Sequence, residues 1–415
     1  MIHYKSIKNY MNIVGINPYQ DERANIALQF MALFISISVM IPMIIEFYVA
    51  TCEKNFDEVI QVLPGIIAQT GGLLKIMNIS VNKANFQKLF DLMVRRWELL
   101  EAKDEIEVLE EYTKRGIKLR GLYKDMIWTV LLVYMSLPLI NPILDVVIPL
   151  NETRPRRHMF PINYIFIDEY EYFYSVNSHL YTGVLICGLM IIPVDMLYIT
   201  ITFHLCGLFA ICGHRIQVTT EMNIVNKDGS KKPEADYKQF KQCVTMHYEV
   251  LQYHQIFERS SRYMYLFQVG LNVFIISVTA VACVMNIDRH DELVRLTMFI
   301  AAQKFHLLIL SLPGQMLLDQ SLGLTDIIYG SKWYQLPTKE QKMIHTMQIR
   351  SIRPCILTAG GVHQMNIESF GVVCNNIDKL MNYLCSNNRI NTLVISVLTI
   401  KACMSYFMMF LSLKE

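Results

Sequence analysis

The sequence predicts an all-α polytopic membrane protein: seven transmembrane helices, N-terminus cytoplasmic, C-terminus extracellular, with long helical extensions into the cytoplasm. Three observations carry that reading. Of 415 residues 53% are hydrophobic and 18% charged, against roughly 25% charged in soluble domains. The apolar residues gather in blocks of about 20, the length a helix needs to satisfy its own backbone across ~30 Å of hydrocarbon. Lys and Arg, finally, are dense in every second connection and sparse in the others.

Taken in order, Ile26–Ala50 is an unambiguous span, and Val59–Ser80 is a weaker one carrying Gln69, Thr70 and Lys75. Asp125–Leu150, Leu180–Gly213, Met264–Asn286 and Leu296–Leu318 follow, and Thr392–Leu413 is the last. The fourth stretch exceeds one perpendicular crossing, so it must tilt or run past the membrane. The opening MIHYKSIKNYMNIVGINPYQ has no apolar h-region. No cleavable signal is therefore expected, and the first span does the targeting.

Orientation follows from the connections. The N-terminal segment and the second, fourth and sixth connections hold 28 of the 38 Lys and Arg, ten of them between Lys83 and Lys124. The alternate set holds seven, and Lys75, Lys304 and Lys401 lie within spans. Positive loops are retained inside, so the chain starts in the cytoplasm and ends outside. That is opposite to a metabotropic seven-helix receptor. The sequon Asn151-Glu152-Thr153 falls in an outer loop and is the candidate glycosylation site, whereas Asn78-Ile79-Ser80 sits at an inner edge.

Several classes drop out. A net charge of +2 leaves no basic surplus for a nucleic acid. Ten scattered Cys give no CxxC pair and no zinc spacing. With no phosphate-cradling loop, GxSxG or HExxH, neither catalysis nor a cofactor or metal is expected. A transporter predicts an internal repeat, and none is visible. Reception is left.

Ionisable groups within spans must face protein or water. Glu46 and Lys75 read as snorkelling near an interface; Asp195 and Lys304 lie deeper and are candidates for function or for buried interhelical bonds. His204 and His306 stand alone in apolar text and read as structural, and Gln268 with Asn272, one turn apart, as interhelical glue. Phe90–Tyr123 and Tyr237–Ser260 carry apolar residues at helical spacing among charges and read as cytoplasmic helix extensions. The aromatic-rich Arg154–Ser178 reads as a structured lid at the outer surface.

The text LPGQMLLDQSLGLTDIIYGSKWYQLP, through Tyr329, Ser331, Trp333, Tyr334, Leu336 and Pro337, resembles the exit from the sixth span in insect odorant receptors. Met365–Phe370 and Lys401–Phe407 resemble the family's final helix. The gustatory relatives end in a TY…QF signature, and here no Gln-Phe follows Ser405-Tyr406. The resemblance implies a tuning subunit that joins a shared odorant co-receptor in a heterotetramer and gates a nonselective cation channel. Such receptors sit in the plasma membrane of olfactory neuron dendrites. It implies a pore lined by the last helix, with Lys401, Ser405, Tyr406 and Phe407 on the matching phrase. It also implies a volatile odorant in an apolar pocket in the outer half, for which depth and direction nominate Met135, Leu139, Tyr181, Val184, Val278, Phe299 and Gln303.

One departure stands out. In the family the two final phrases form one helix, but here Cys374–Thr399, with six Asn, intervenes. Its removal leaves MNIESFGVVIKACMSYFMMFLSL, so the segment reads as a retained intron or gene-model error that places poorly helical residues in the pore helix.

Overall fold

The computed structural model describes residues 4–149, 154, 156, 158–225, 233–285 and 290–386. A short amphipathic helix comes first, α1 (Lys5–Val14), burying Ile7, Met11 and Val14 along one stripe. It stops at Gly15, whose φ of 72° needs no Cβ; one there would lie 2.5 Å from the Asn25 carbonyl oxygen. The Asp21 carboxylate accepts from the Ala24 amide and opens α2 (Glu22–Cys52). Asn55 does the same for α3 (Phe56–Val81), its side chain accepting from the Glu58 amide.

Next come α4 (Lys83–Glu98) and α5 (Lys103–Val147), so the extension expected over Phe90–Tyr123 is two helices parted at residues 99–102. Buried Leu100 holds that corner. Then follow α6 (Phe173–Val225), α7 (Pro233–Met285) and α8 (His290–Gly330). After a 3-10 turn (Trp333–Gln335) and α9 (Thr338–Ser351), a hairpin pairs β1 (Thr358–Ala359) with β2 (His363–Gln364), Thr358 opposite Gln364. The last described helix is α10 (Ile367–Ser386).

Among the described residues six helices, α2, α3, α5, α6, α7 and α8, are long and apolar enough to cross a bilayer. The first six expected spans fall on these helices, although α5 ends at Val147 and α7 at Met285, short of the expected Leu150 and Asn286. The seventh, Thr392–Leu413, lies outside the described residues, as do Lys401, Ser405, Tyr406, Phe407 and Asn151. At 53 residues, α6 and α7 each reach ~80 Å at 1.5 Å per residue, far beyond a hydrocarbon core. The surplus of the fourth span is thus continuous helix running past the membrane.

Apolar all round, α6 takes the middle: 72% of its most apolar stretch is buried, against 6% for α5, which faces outward. Where α6 and α7 outrun the membrane, Phe209, Ile216, Phe240, Val250 and Phe257 build a protein core. The Lys- and Arg-rich helices α1, α4 and α9 pack around that same end. Charges tie it together: Arg215 clasps Glu105 through Nε (2.6 Å) and Nη2 (2.7 Å), and Arg96 pairs with Glu249.

The first half of Cys374–Thr399 continues α10 and does not break it. Buried Val373 and Ile377, four residues apart, keep the stripe on the bundle while Asn375 faces out. The rest of the segment lies outside the described residues.

Candidate functional site

A cavity of about 200 Å³ lies among α2, α3, α5, α6, α7 and α8, where the large core meets a small cluster made by Val39, Met43, Val62, Ile162, Val176 and Leu180. Small residues open it. A Cβ on Gly65 would lie 3.0 Å from the Met43 sulfur, and one on Gly188 would lie 2.6 Å from Leu131. Met159 and Phe160, from the loop before α6, close one end.

That loop is a pinned lid. The Asn163 amide donates to the Pro42 carbonyl (3.2 Å), and the Tyr164 hydroxyl meets His179 Nδ1 (2.6 Å). His179 in turn reaches Ser38 on α2 (3.0 Å), and the Tyr164 amide donates to Glu169 (2.8 Å). Phe160 stacks on Tyr134 at 6.4 Å, and Tyr134 meets Phe299 edge-on at 6.0 Å. This aromatic trio roofs the cavity beside Met43, a soft and adaptable wall. Behind Phe173 and Tyr170, burial holds the His158 imidazole below its ordinary pKa.

The opposite end is polar. Lys75, Gln268, Asn272 and His306 line it, and Asp195 lies just beneath. Pro64 and Lys75 both line the wall and are eleven residues apart on α3, so the cavity runs ~16 Å along that helix. Lys75 is 2% exposed and Asp195 0%, and the ammonium is paired with the carboxylate. The Tyr123 hydroxyl donates to the same Asp195 oxygen, and His306 Nε2 stands 3.6 Å from it. Gln268 and Asn272 approach the two ring nitrogens of His306 at 3.4 and 3.5 Å.

Here two expectations are corrected. Lys75 does not snorkel to an interface; it is buried because α6 brings a counter-charge to it. His306 is not alone, because three other helices supply its neighbours. Both errors have one origin, partners 34 to 183 positions away in the chain. Two unpaired opposite charges in the second and fourth spans, at matching depth, were the signal for the first. Lys304, the other deep charge, pairs with Asp378 on α10 at 2.6 Å. His204 is buried within α6 beside the Tyr253 ring, 5.9 Å away.

Of the seven nominated residues, Val184, Phe299 and Gln303 line the cavity. Met135, Leu139, Tyr181 and Val278 lie partly buried on α5, α6 and α7 but are not in its wall. Tyr134, Phe160 and Gly188 are in the wall and were not nominated. Depth was readable from the spans; rotation about each helix axis was not. Among the described residues no cluster of His, Cys, Asp or Glu could hold a metal.

A family model described as 7tm odorant receptor matches residues 55–377. The chain belongs to the insect odorant receptor family. It is 22% identical over 308 residues to odorant receptor Or2 of Anopheles gambiae, covering 73% of this chain and 78% of that one. Its fold is similar to olfactory receptor OR5 of Machilis hrabei in complex with eugenol, with TM-score 0.72 and 11% identity over 92% of this chain and 97% of that one. A second OR5 structure aligns with TM-score 0.68 and 13% identity, covering 92% and 96%. This odorant receptor is therefore a multi-pass, all-α membrane protein, and its cavity lies within the bundle common to those folds.

Proposed function

We propose that this chain is an odorant-tuning subunit whose cavity, lidded by Phe160 and walled by Val184, Phe299 and Gln303, takes a small volatile odorant. The carrying observation is the mainly apolar cavity inside an odorant receptor bundle. Desolvation drives an apolar ligand into such a space, and a few polar groups orient it. The chain's role is reception, not catalysis.

Binding gates a nonselective cation channel in a heterotetramer with the odorant co-receptor, because the ligand prefers the open arrangement to the closed one. The last helices, with Lys401, Ser405, Tyr406 and Phe407, surround the pore. The N-terminus is cytoplasmic and the C-terminus extracellular. That orientation is supported by the charge asymmetry of the connections and by the gathering of α1, α4 and α9 at one end. The receptor works in the plasma membrane of olfactory dendrites. Cys374–Thr399 is a retained intron or gene-model error, a reading supported by a family match that ends at residue 377.

Odorant-evoked current in cells expressing the chain with and without co-receptor tests the assignment. Val184→Trp and Phe299→Ala are expected to shift dose–response curves while surface delivery is kept. Unchanged curves across both remove the cavity from the mechanism.

A further inference from the structure

The cavity carries charge at one end only, and that end is already charge-balanced. Lys75 carries three N–H donors, one of which serves Asp195. The pair is net neutral, so an anionic or cationic ligand would bring an uncompensated charge into a buried site. The neighbouring amides are not fully used. Gln268 is 5% exposed and Gln69 3%; both line the cavity, and the side-chain oxygen of each is buried without a hydrogen-bond partner. The Gln69 amide nitrogen is committed, donating to the Gly183 carbonyl at 2.9 Å. The polar end therefore offers donors from Lys75 and an acceptor from Gln268, with a second acceptor, Gln69, about 9 Å further along α3.

Size narrows the ligand further. A cavity of about 150 Å³ holds one benzene molecule, so 200 Å³ accommodates a single ring or its aliphatic equivalent with a short substituent. Resting on the reading of this cavity as the odorant site, we infer that its preferred ligands are small neutral alcohols or phenols. Their hydroxyl accepts from Lys75 and donates to the Gln268 side-chain oxygen, while the apolar body lies under Phe160, Tyr134 and Phe299. A hydrocarbon of the same shape leaves those buried groups unpaired; a ketone satisfies the donor but not the acceptor.

Purified full-length receptor is titrated with a series built on one skeleton: 1-phenylethanol, acetophenone, ethylbenzene, 1-phenylethylamine and phenylacetate. Affinity is read from ligand-induced thermal stabilisation. The expected order places the alcohol first, the ketone next, and ethylbenzene and both ions at least about tenfold weaker than the alcohol, a difference of about 1.4 kcal/mol. Gln268→Leu is expected to bring the alcohol to the ketone's level and leave ethylbenzene unchanged. The wild-type series stands by itself if that variant fails to fold. Ethylbenzene binding within threefold of the alcohol overturns the hydroxyl preference while leaving the cavity as the odorant site. Affinities that do not change in Ala302→Phe, which fills the cavity, overturn the site itself and this inference with it.

Discussion

Replacing Lys75 by Met tests the electrostatics of the bundle directly. Asp195 is wholly buried, its Oδ2 holding Lys75 and Tyr123 and its Oδ1 having no partner. Removing the ammonium strands a carboxylate with one hydroxyl donor and an imidazole 3.6 Å away. Breaking a buried pair from one side costs about 3–5 kcal/mol, a large fraction of a typical folding free energy of about 5–15 kcal/mol. Lys75→Met should therefore lower the thermal midpoint of the ligand-free receptor sharply and reduce its delivery to the cell surface. Lys75→Met with Asp195→Leu removes both charges and should recover most of the loss, since apolar replacement of a whole buried pair is often neutral. Fluorescence-detected size-exclusion after heating gives both midpoints on small samples. A single variant that melts with the wild type, or a double variant no better than the single, would refute the pairing as a determinant of stability.

Other outcomes follow from equally local geometry. Gly314→Ala should abolish surface delivery, because its Cβ would fall 1.8 Å from the Met365 carbonyl oxygen, whereas Gly323→Ala on the same helix meets open space and should behave as wild type. Asn151→Gln should remove an endoglycosidase-sensitive gel shift and Asn78→Gln should not; a shift lost only with Asn78 would invert the proposed orientation. The lid should loosen in acid. Burial depresses the His158 pKa, so His158 contributes stability that is complete above an unfolded value of about 6.5 and lost as pH falls through the lower folded value. Hydrogen exchange of Met159 and Phe160, corrected for intrinsic rates, should show less protection at pH 5 than at pH 7.5, with the difference abolished in His158→Gln.

The first six spans were legible because the bilayer imposes a length, and six blocks of apolar text correspond to six helices among the described residues. Helix ends beyond the membrane were less so: the Leu99–Ala102 corner interrupts a continuous helical pattern because Leu100 finds burial there. The cavity was half legible. Val184, Phe299 and Gln303 follow from depth, but whether Met135 or its neighbour Tyr134 faces inward depends on rotation about an axis set by packing against α6 and α8. Lys75, Asp195 and His306 each look anomalous alone in the sequence. They make sense only as a group, and the group is assembled by tertiary structure.

Gln303 borders the cavity while Lys304, the next residue and about 100° around the helix, grips Asp378. Asp378 belongs to the suspected intron. In the shortened chain, Ile400 would directly follow Val373, and the residue five places on would be Met404. A thioether would then stand where Lys304 now finds a carboxylate. Losing that carboxylate, whether by substitution or with the whole segment, would release Lys304 beside Gln303 and unmoor this side of the cavity wall from α10.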